Sequence, residues 1–229
     1  MFMGIIKNTG RIRCLRSRIA VGAGLTALLC SCVCSYAAEP AEYKDIPEDW
    51  SRESIIRAID AGIITGDTDG YIKPDSTVTR AELSAMLVRL FGVSGSGAAE
   101  FSDVSAEDWY YSYVCAAAEN GFMTGSGGMF RPNDAVTRQE AVTAAARAFF
   151  IPPSQGTLSG FADAGTAADW ARGYFAALIE RGAVTGSGDM LYPEEPITKK
   201  EAAAVMLRCS ELPDLPVRES DGSVWSPVY

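Results

Sequence analysis

The chain has 229 residues, 48% of them apolar, and carries 29 acidic against 20 basic side chains for a net charge of −9. That balance excludes nucleic acid as a partner, because binding it requires a basic footprint. With no His in the sequence, His-ligated metals and His-dependent catalysis are excluded as well.

Residues 1–37 read as an export signal. Lys7, Arg11, Arg13, Arg16 and Arg18 form a basic start without an acid, an apolar stretch runs from Ile19 to about Val33, and Ser35-Tyr36-Ala37 offers small residues at a cleavage site. Two alternatives stay open. Ile19 to Ala38 is just long enough for an uncleaved membrane anchor, and Cys32 is a candidate for lipid attachment. All three readings put the rest of the chain outside the cytoplasm. Cleavage would remove five basic residues and leave fifteen against 29 acidic ones, a net charge of −14. An anionic ligand would then have to be held locally, against the overall field. Four of the six Cys lie in this segment. The other two, Cys115 and Cys209, stand where sister positions carry Ile56 and Ala176, or Leu90 and Ala148, and are expected as small core residues.

From residue 43 a pattern of about sixty residues is written three times. Asp49-Trp50 recurs as Asp108-Trp109 and Asp169-Trp170. Twelve residues after each Trp comes a Gly that opens a Gly-x-x-x-Gly turn: Gly62 to Gly66, Gly121 to Gly125, Gly182 to Gly186. Pro74, Pro132 and Pro193 follow, each five residues ahead of a Thr-x-x-Glu: Thr79 to Glu82, Thr137 to Glu140, Thr198 to Glu201. Such a period implies copies of one supersecondary unit with copied binding sites. A catalytic centre is normally built once, so the threefold polar signature points to recognition and no enzyme is expected.

Within each copy, apolar residues at offsets five, six and nine from Trp predict a helix with a narrow buried stripe: Ile55, Ile56, Ile59; Val114, Cys115, Ala118; Phe175, Ala176, Ile179. The following Gly ends it in the left-handed conformation. Thr-x-x-Glu is a capping box that starts a second helix. Arg89, Arg147 and Arg208, near the end of that helix, fit its dipole and read as structural. The prediction is an all-α domain of three helix-loop-helix repeats, packed as a pseudo-threefold helical spindle, with boundaries at 43–93, 101–151 and 161–212. The tail, 213–229, holds Trp225 and Tyr229 and is a candidate docking peptide for a protein partner.

Asp-Trp, Gly-x-x-x-Gly, Pro and Thr-Arg-Ala-Glu in register three times resemble the S-layer homology domain family over residues 43–212. The resemblance implies a three-pronged helical spindle that binds bacterial cell-wall glycan, a polysaccharide or peptidoglycan-linked polymer commonly bearing pyruvyl groups, in grooves between the prongs. It assigns the ligand-facing positions to Arg80, Arg138 and Lys199, to Trp50, Trp109 and Trp170, and to Gly66, Gly125 and Gly186. No cofactor or metal is implied.

The residues add their own argument. A cation in the first turn of a helix opposes the dipole, so its presence in all three copies suggests an external anion seated on a helix N-terminus. Replacing it is expected to leave the fold intact or slightly firmer. The Trp residues are either core plugs or stacking surfaces for a sugar. The third copy departs from the pattern, with Lys199 for Arg and Leu191-Tyr192-Pro193 where the second has Phe130-Arg131-Pro132. A calcium loop at Asp67–Asp69 fails, because Ile72 and Val78 stand where Gly and Glu are required. Acid pairs such as Glu48/Asp49 and Glu107/Asp108 recur where helix starts favour acids. The alternative function is a structural or adaptor subunit of a surface layer, acting through the tail or by self-assembly.

Overall fold

A computed structural model describes residues 43–97, 101–213, 215, 217–218 and 224–225. The expected export signal and most of the tail lie outside them. The described residues form an all-α fold with two helices per repeat: α1 Arg52–Asp60 and α2 Arg80–Phe91, α3 Tyr111–Glu119 and α4 Arg138–Ala148, α5 Asp169–Glu180 and α6 Lys199–Ser210. A 3-10 turn at Ala164–Thr166 and a short antiparallel pairing of Val217–Arg218 with Val224–Trp225 complete the elements.

Local chemistry sets the helix ends. Gly62, Gly121 and Gly182 sit at φ of +69°, +72° and +73° just past the first helices, a conformation that costs other residues a Cβ clash. The second helices start on complete capping boxes. Each Glu amide donates to its Thr hydroxyl, and each Glu carboxylate accepts the Thr amide at 2.9 Å.

The repeats close into a ring. The Val78 amide donates to the Ile197 carbonyl at 3.0 Å, Ile197 to Val136 at 2.9 Å, and Val136 to Val78 at 2.9 Å. Around this cycle, α3 packs on α2, α5 on α4 and α1 on α6, so each first helix lies against the second helix of the preceding repeat. The expected stripe is buried at Ile55, Ile59, Val114, Cys115, Phe175 and Ala176, and this arrangement corrects the rest. Ala58, Ala117 and Leu178 at offset eight are buried in every copy, whereas Ile56, Ala118 and Ile179 are only half-buried. The neighbour that decides which side is buried belongs to another repeat.

Phe91 lies 5.2 Å from the Phe122 ring and 4.8 Å from Phe149, linking two buried clusters into a continuous apolar interior. Cys115 and Cys209 are free and buried in it, as expected for small core residues, and burial pushes the Cys209 thiol up to about 12.

Candidate ligand-binding grooves

Three clefts repeat around the ring. The first is lined by Arg80, the turn Thr124-Gly125-Ser126, Glu140, Arg147 and Trp170, and encloses about 360 Å³. The second is lined by Arg138, Thr185-Gly186-Ser187, Glu201, Arg208 and Trp50, with about 500 Å³. The third brings together Lys199, Thr65, Glu82, Arg89 and Trp109 around about 220 Å³. In each, one repeat supplies the motif cation, the next supplies the turn, the capping Glu and a second Arg, and the third supplies Trp. Every cleft is therefore composite.

The motif cations are tied into the fold more tightly than the sequence suggests. Arg80 is only 5% exposed. Its Nε donates to the Phe130 carbonyl at 2.7 Å, Nη2 to the Thr124 carbonyl at 2.7 Å, and Nη1 meets Glu140 at 3.2 Å. Arg138 repeats part of this, with Nη2 on the Thr185 carbonyl at 2.9 Å and Nη1 3.4 Å from Glu201. Its Nε is buried without a partner. Burial lowers the pKa of both guanidinium groups, while Glu140 and Glu201 oppose the shift; an arginine keeps its proton under such conditions. Lys199 has no fork and sets Nζ 2.9 Å from the Ile72 carbonyl.

An anion seat on the helix N-termini is not present. The Arg80 amide donates to the Asp134 carbonyl at 3.0 Å, Ala81 to Pro132 at 2.9 Å and Glu82 to Thr79 Oγ1 at 3.2 Å. Arg138 and Gln139 donate likewise to Glu195 and Pro193, and Lys199 and Lys200 to Ser76 and Pro74. The amides that would have held an anion join the repeats instead. The cation opposing the dipole is offset by carbonyls and a carboxylate of the next repeat, so its presence needs no external anion.

The Trp residues are not core plugs. Trp50, Trp109 and Trp170 are 58%, 59% and 50% exposed, each at the rim of a cleft. Gly125 and Gly186 line their clefts, whereas the third presents Thr65, next to Gly66. These glycines have a packing reason too. A Cβ on Gly125 would stand 2.5 Å from the Phe101 ring, one on Gly186 2.5 Å from Phe161, and one on Gly66 still closer to Tyr43.

Two sets of residues were missed from sequence. Arg89, Arg147 and Arg208, read as dipole partners, line the clefts, and their guanidinium groups lie over Tyr113, Tyr174 and Trp50 at 4.9, 5.8 and 6.0 Å. Recurrence of Arg at one offset was the available signal. The second set is Asp45, Asp103 and Asp163. Each carboxylate accepts two successive amides at 2.7–2.8 Å, from Ile72 and Lys73, Phe130 and Arg131, and Leu191 and Tyr192. The second residue of each pair is left-handed, at φ of +57°, +58° and +53°. Burial works to raise the Asp103 carboxyl, but the amides of Phe130 and Arg131 hold it below its ordinary value. An aromatic two residues ahead of each Asp (Tyr43, Phe101, Phe161) was the missed signature.

In the third repeat Lys200 adds a latch found in neither sister. Its ammonium bridges Asp49 at 2.8 Å and Asp75 at 2.6 Å, tying the last repeat to the first beside Trp50. Hydrogen bonds from Lys200 and Ser51 pull the Asp49 carboxyl down to about 2.

The model of the S-layer homology domain matches residues 42–84, 100–142 and 160–203. Similar proteins include the surface-layer 125 kDa protein of Lysinibacillus sphaericus, 33% identical over 86% of this chain and 17% of that protein. An amylopullulanase of Thermoanaerobacterium thermosulfurigenes is 34% identical over 72% of this chain and 9% of its own length. The S-layer protein sap of Bacillus anthracis is 27% identical over 81% of this chain and 23% of its own. The chain thus spans less than a quarter of each of these relatives. The family match takes in more than half of the chain, which belongs to the S-layer homology domain family.

Proposed function

We propose that this chain binds bacterial cell-wall glycan non-covalently through its three clefts and so holds itself at the cell envelope, after export directed by residues 1–37. The observation that carries the reading is the threefold cleft itself, with an exposed Trp, a buried or half-buried motif cation and a second Arg contributed by three different repeats. An apolar ring face beside cations suits a sugar with an acidic substituent, such as a pyruvyl ketal on a secondary wall polymer. The relatives agree with an envelope location, since two of the three are surface-layer proteins. The function is anchoring rather than catalysis: the polar signature recurs three times, and Glu82, Glu140 and Glu201 are engaged in capping, the latter two also with the motif arginines.

Sedimentation tests the reading. The protein is expected to pellet with wall sacculi that retain their secondary polymer, and to stay in solution with stripped sacculi, DNA or lipid vesicles. Equal pelleting with sacculi and vesicles would overturn it.

A further inference from the structure

The three clefts share a plan, but the Trp50 cleft differs from its sisters in four ways. It is the largest, at about 500 Å³. It holds two exposed aromatic rings, Trp50 and Tyr192, the latter 44% exposed. Tyr192 is the left-handed residue before Pro193, and the equivalent positions carry Lys73 and Arg131. The cleft also holds the buried Arg138 Nε that lacks a partner, whereas Arg80 Nε is bound by a carbonyl. Finally, Arg208 lies over the cleft's own Trp50 ring, whereas Arg89 and Arg147 lie over Tyr113 and Tyr174.

A Tyr in the left-handed region is costly for a bulky side chain. Here the Asp163 carboxylate holds the Leu191 and Tyr192 amides at 2.8 and 2.7 Å and fixes that conformation. The backbone plan is the same in all three repeats, so what changes is the chemistry presented. The second repeat presents a cation there, the third an aromatic ring.

We propose that Tyr192 is a specificity-determining residue: with Trp50 it receives a pyranose ring, whose carboxylate meets the Arg138–Arg208 pair, making this cleft the principal acidic-sugar site of the chain. The inference rests on the glycan-binding reading and refines it. The aromatic rings recognise the ring of the sugar and the arginines its charge, so the two contributions separate.

Methyl glucuronoside and methyl glucoside are suitable probes, since they differ only in the carboxylate. Their binding to the full chain is followed by nuclear magnetic resonance titration. Tyr192→Asn removes the ring while keeping a residue that tolerates the left-handed region. It is expected to weaken both probes by the same factor, about two- to tenfold, the range of an aromatic contact. Tyr192→Phe is expected to bind both like the original chain. Arg208→Gln is expected to weaken the glucuronoside alone. Thermal melting of each variant checks folding; the sister loops carry Arg131 and Lys73 in the same conformation, so the loop accepts other side chains. Unchanged binding of both probes by Tyr192→Asn would overturn the inference, as would a chain that takes up neither probe. In either case pelleting with sacculi stands as a separate result, and only its failure removes the wall-binding reading.

Discussion

Replacing Arg80 with Ala separates the geometry of this fold from the intuition of the sequence. A cation in the first turn of a helix opposes its dipole, so dipole reasoning alone has the protein unaffected or firmer. The structure reverses the sign. The side chain fills three acceptors at 2.7, 2.7 and 3.2 Å, one of them the carboxylate of the neighbouring capping box. Its removal strands the Phe130 and Thr124 carbonyls and leaves Glu140 without its cation. Glu140 is half-buried, but the Arg80 side chain is buried and three hydrogen bonds go with it, so the cost is about 3–5 kcal/mol. For a domain of this size that lowers the melting midpoint by about 6–20 °C. Arg138→Ala loses two partners and is expected to cost about 1.5–3 kcal/mol. Lys199→Ala loses a contact to one carbonyl and is expected to cost about 1 kcal/mol. Urea and thermal denaturation of the three variants give the ranking Arg80, Arg138, Lys199. An Arg80→Ala midpoint shifted no further than that of Lys199→Ala would refute the reasoning.

Thr137→Ala is expected to cost about 1 kcal/mol, the usual loss of a helix cap, measured by urea denaturation; an unchanged midpoint would remove the capping box from the account. The Lys200 latch predicts an acid sensitivity. The Asp49 carboxyl is depressed from 3.8 to about 2 in the folded chain, so its contribution is complete above 3.8 and is lost as pH falls through about 2. Across that window the original chain is expected to lose more stability than Lys200→Met, and parallel pH profiles for the two would count against the latch.

What was legible in the sequence was local. Thr79 to Glu82 and its two copies are separated by less than one turn of helix, so the capping boxes follow from spacing alone. The left-handed Gly62, Gly121 and Gly182 follow in the same way. What was not legible depends on ring closure. The buried face of α1 is set by α6, far along the chain, which is why Ala58 is covered and Ile56 only half-covered. Asp45, Asp103 and Asp163 escaped because their distance to the following Trp grows from five to six to seven residues, while their partners lie 27 to 29 residues away. The cleft arginines were visible, but their place in the clefts was not, because a cation near a helix end already has a local explanation.

The same closure decides which charges are left for a ligand. Glu140 spends one carboxylate oxygen on the Thr137 amide and the other on Arg80, and Glu201 does the same for Thr198 and Arg138. Glu140 and Glu201 therefore each start their own helix and also neutralise the motif arginine of the preceding repeat. Arg80 is largely consumed by this exchange. Arg147 and Arg208 have no carboxylate partner among the described residues and contact aromatic rings instead. In a chain of net charge −9, a locally unbalanced arginine beside an exposed Trp is what distinguishes a cleft from the rest of the surface. The Arg80 side chain thus mainly fixes the neighbouring turn, whereas the second-helix arginine and Trp stand open at the cleft. Because these two always come from different repeats, no single repeat carries a complete cleft, and the ring that holds the fold together is also what assembles the site.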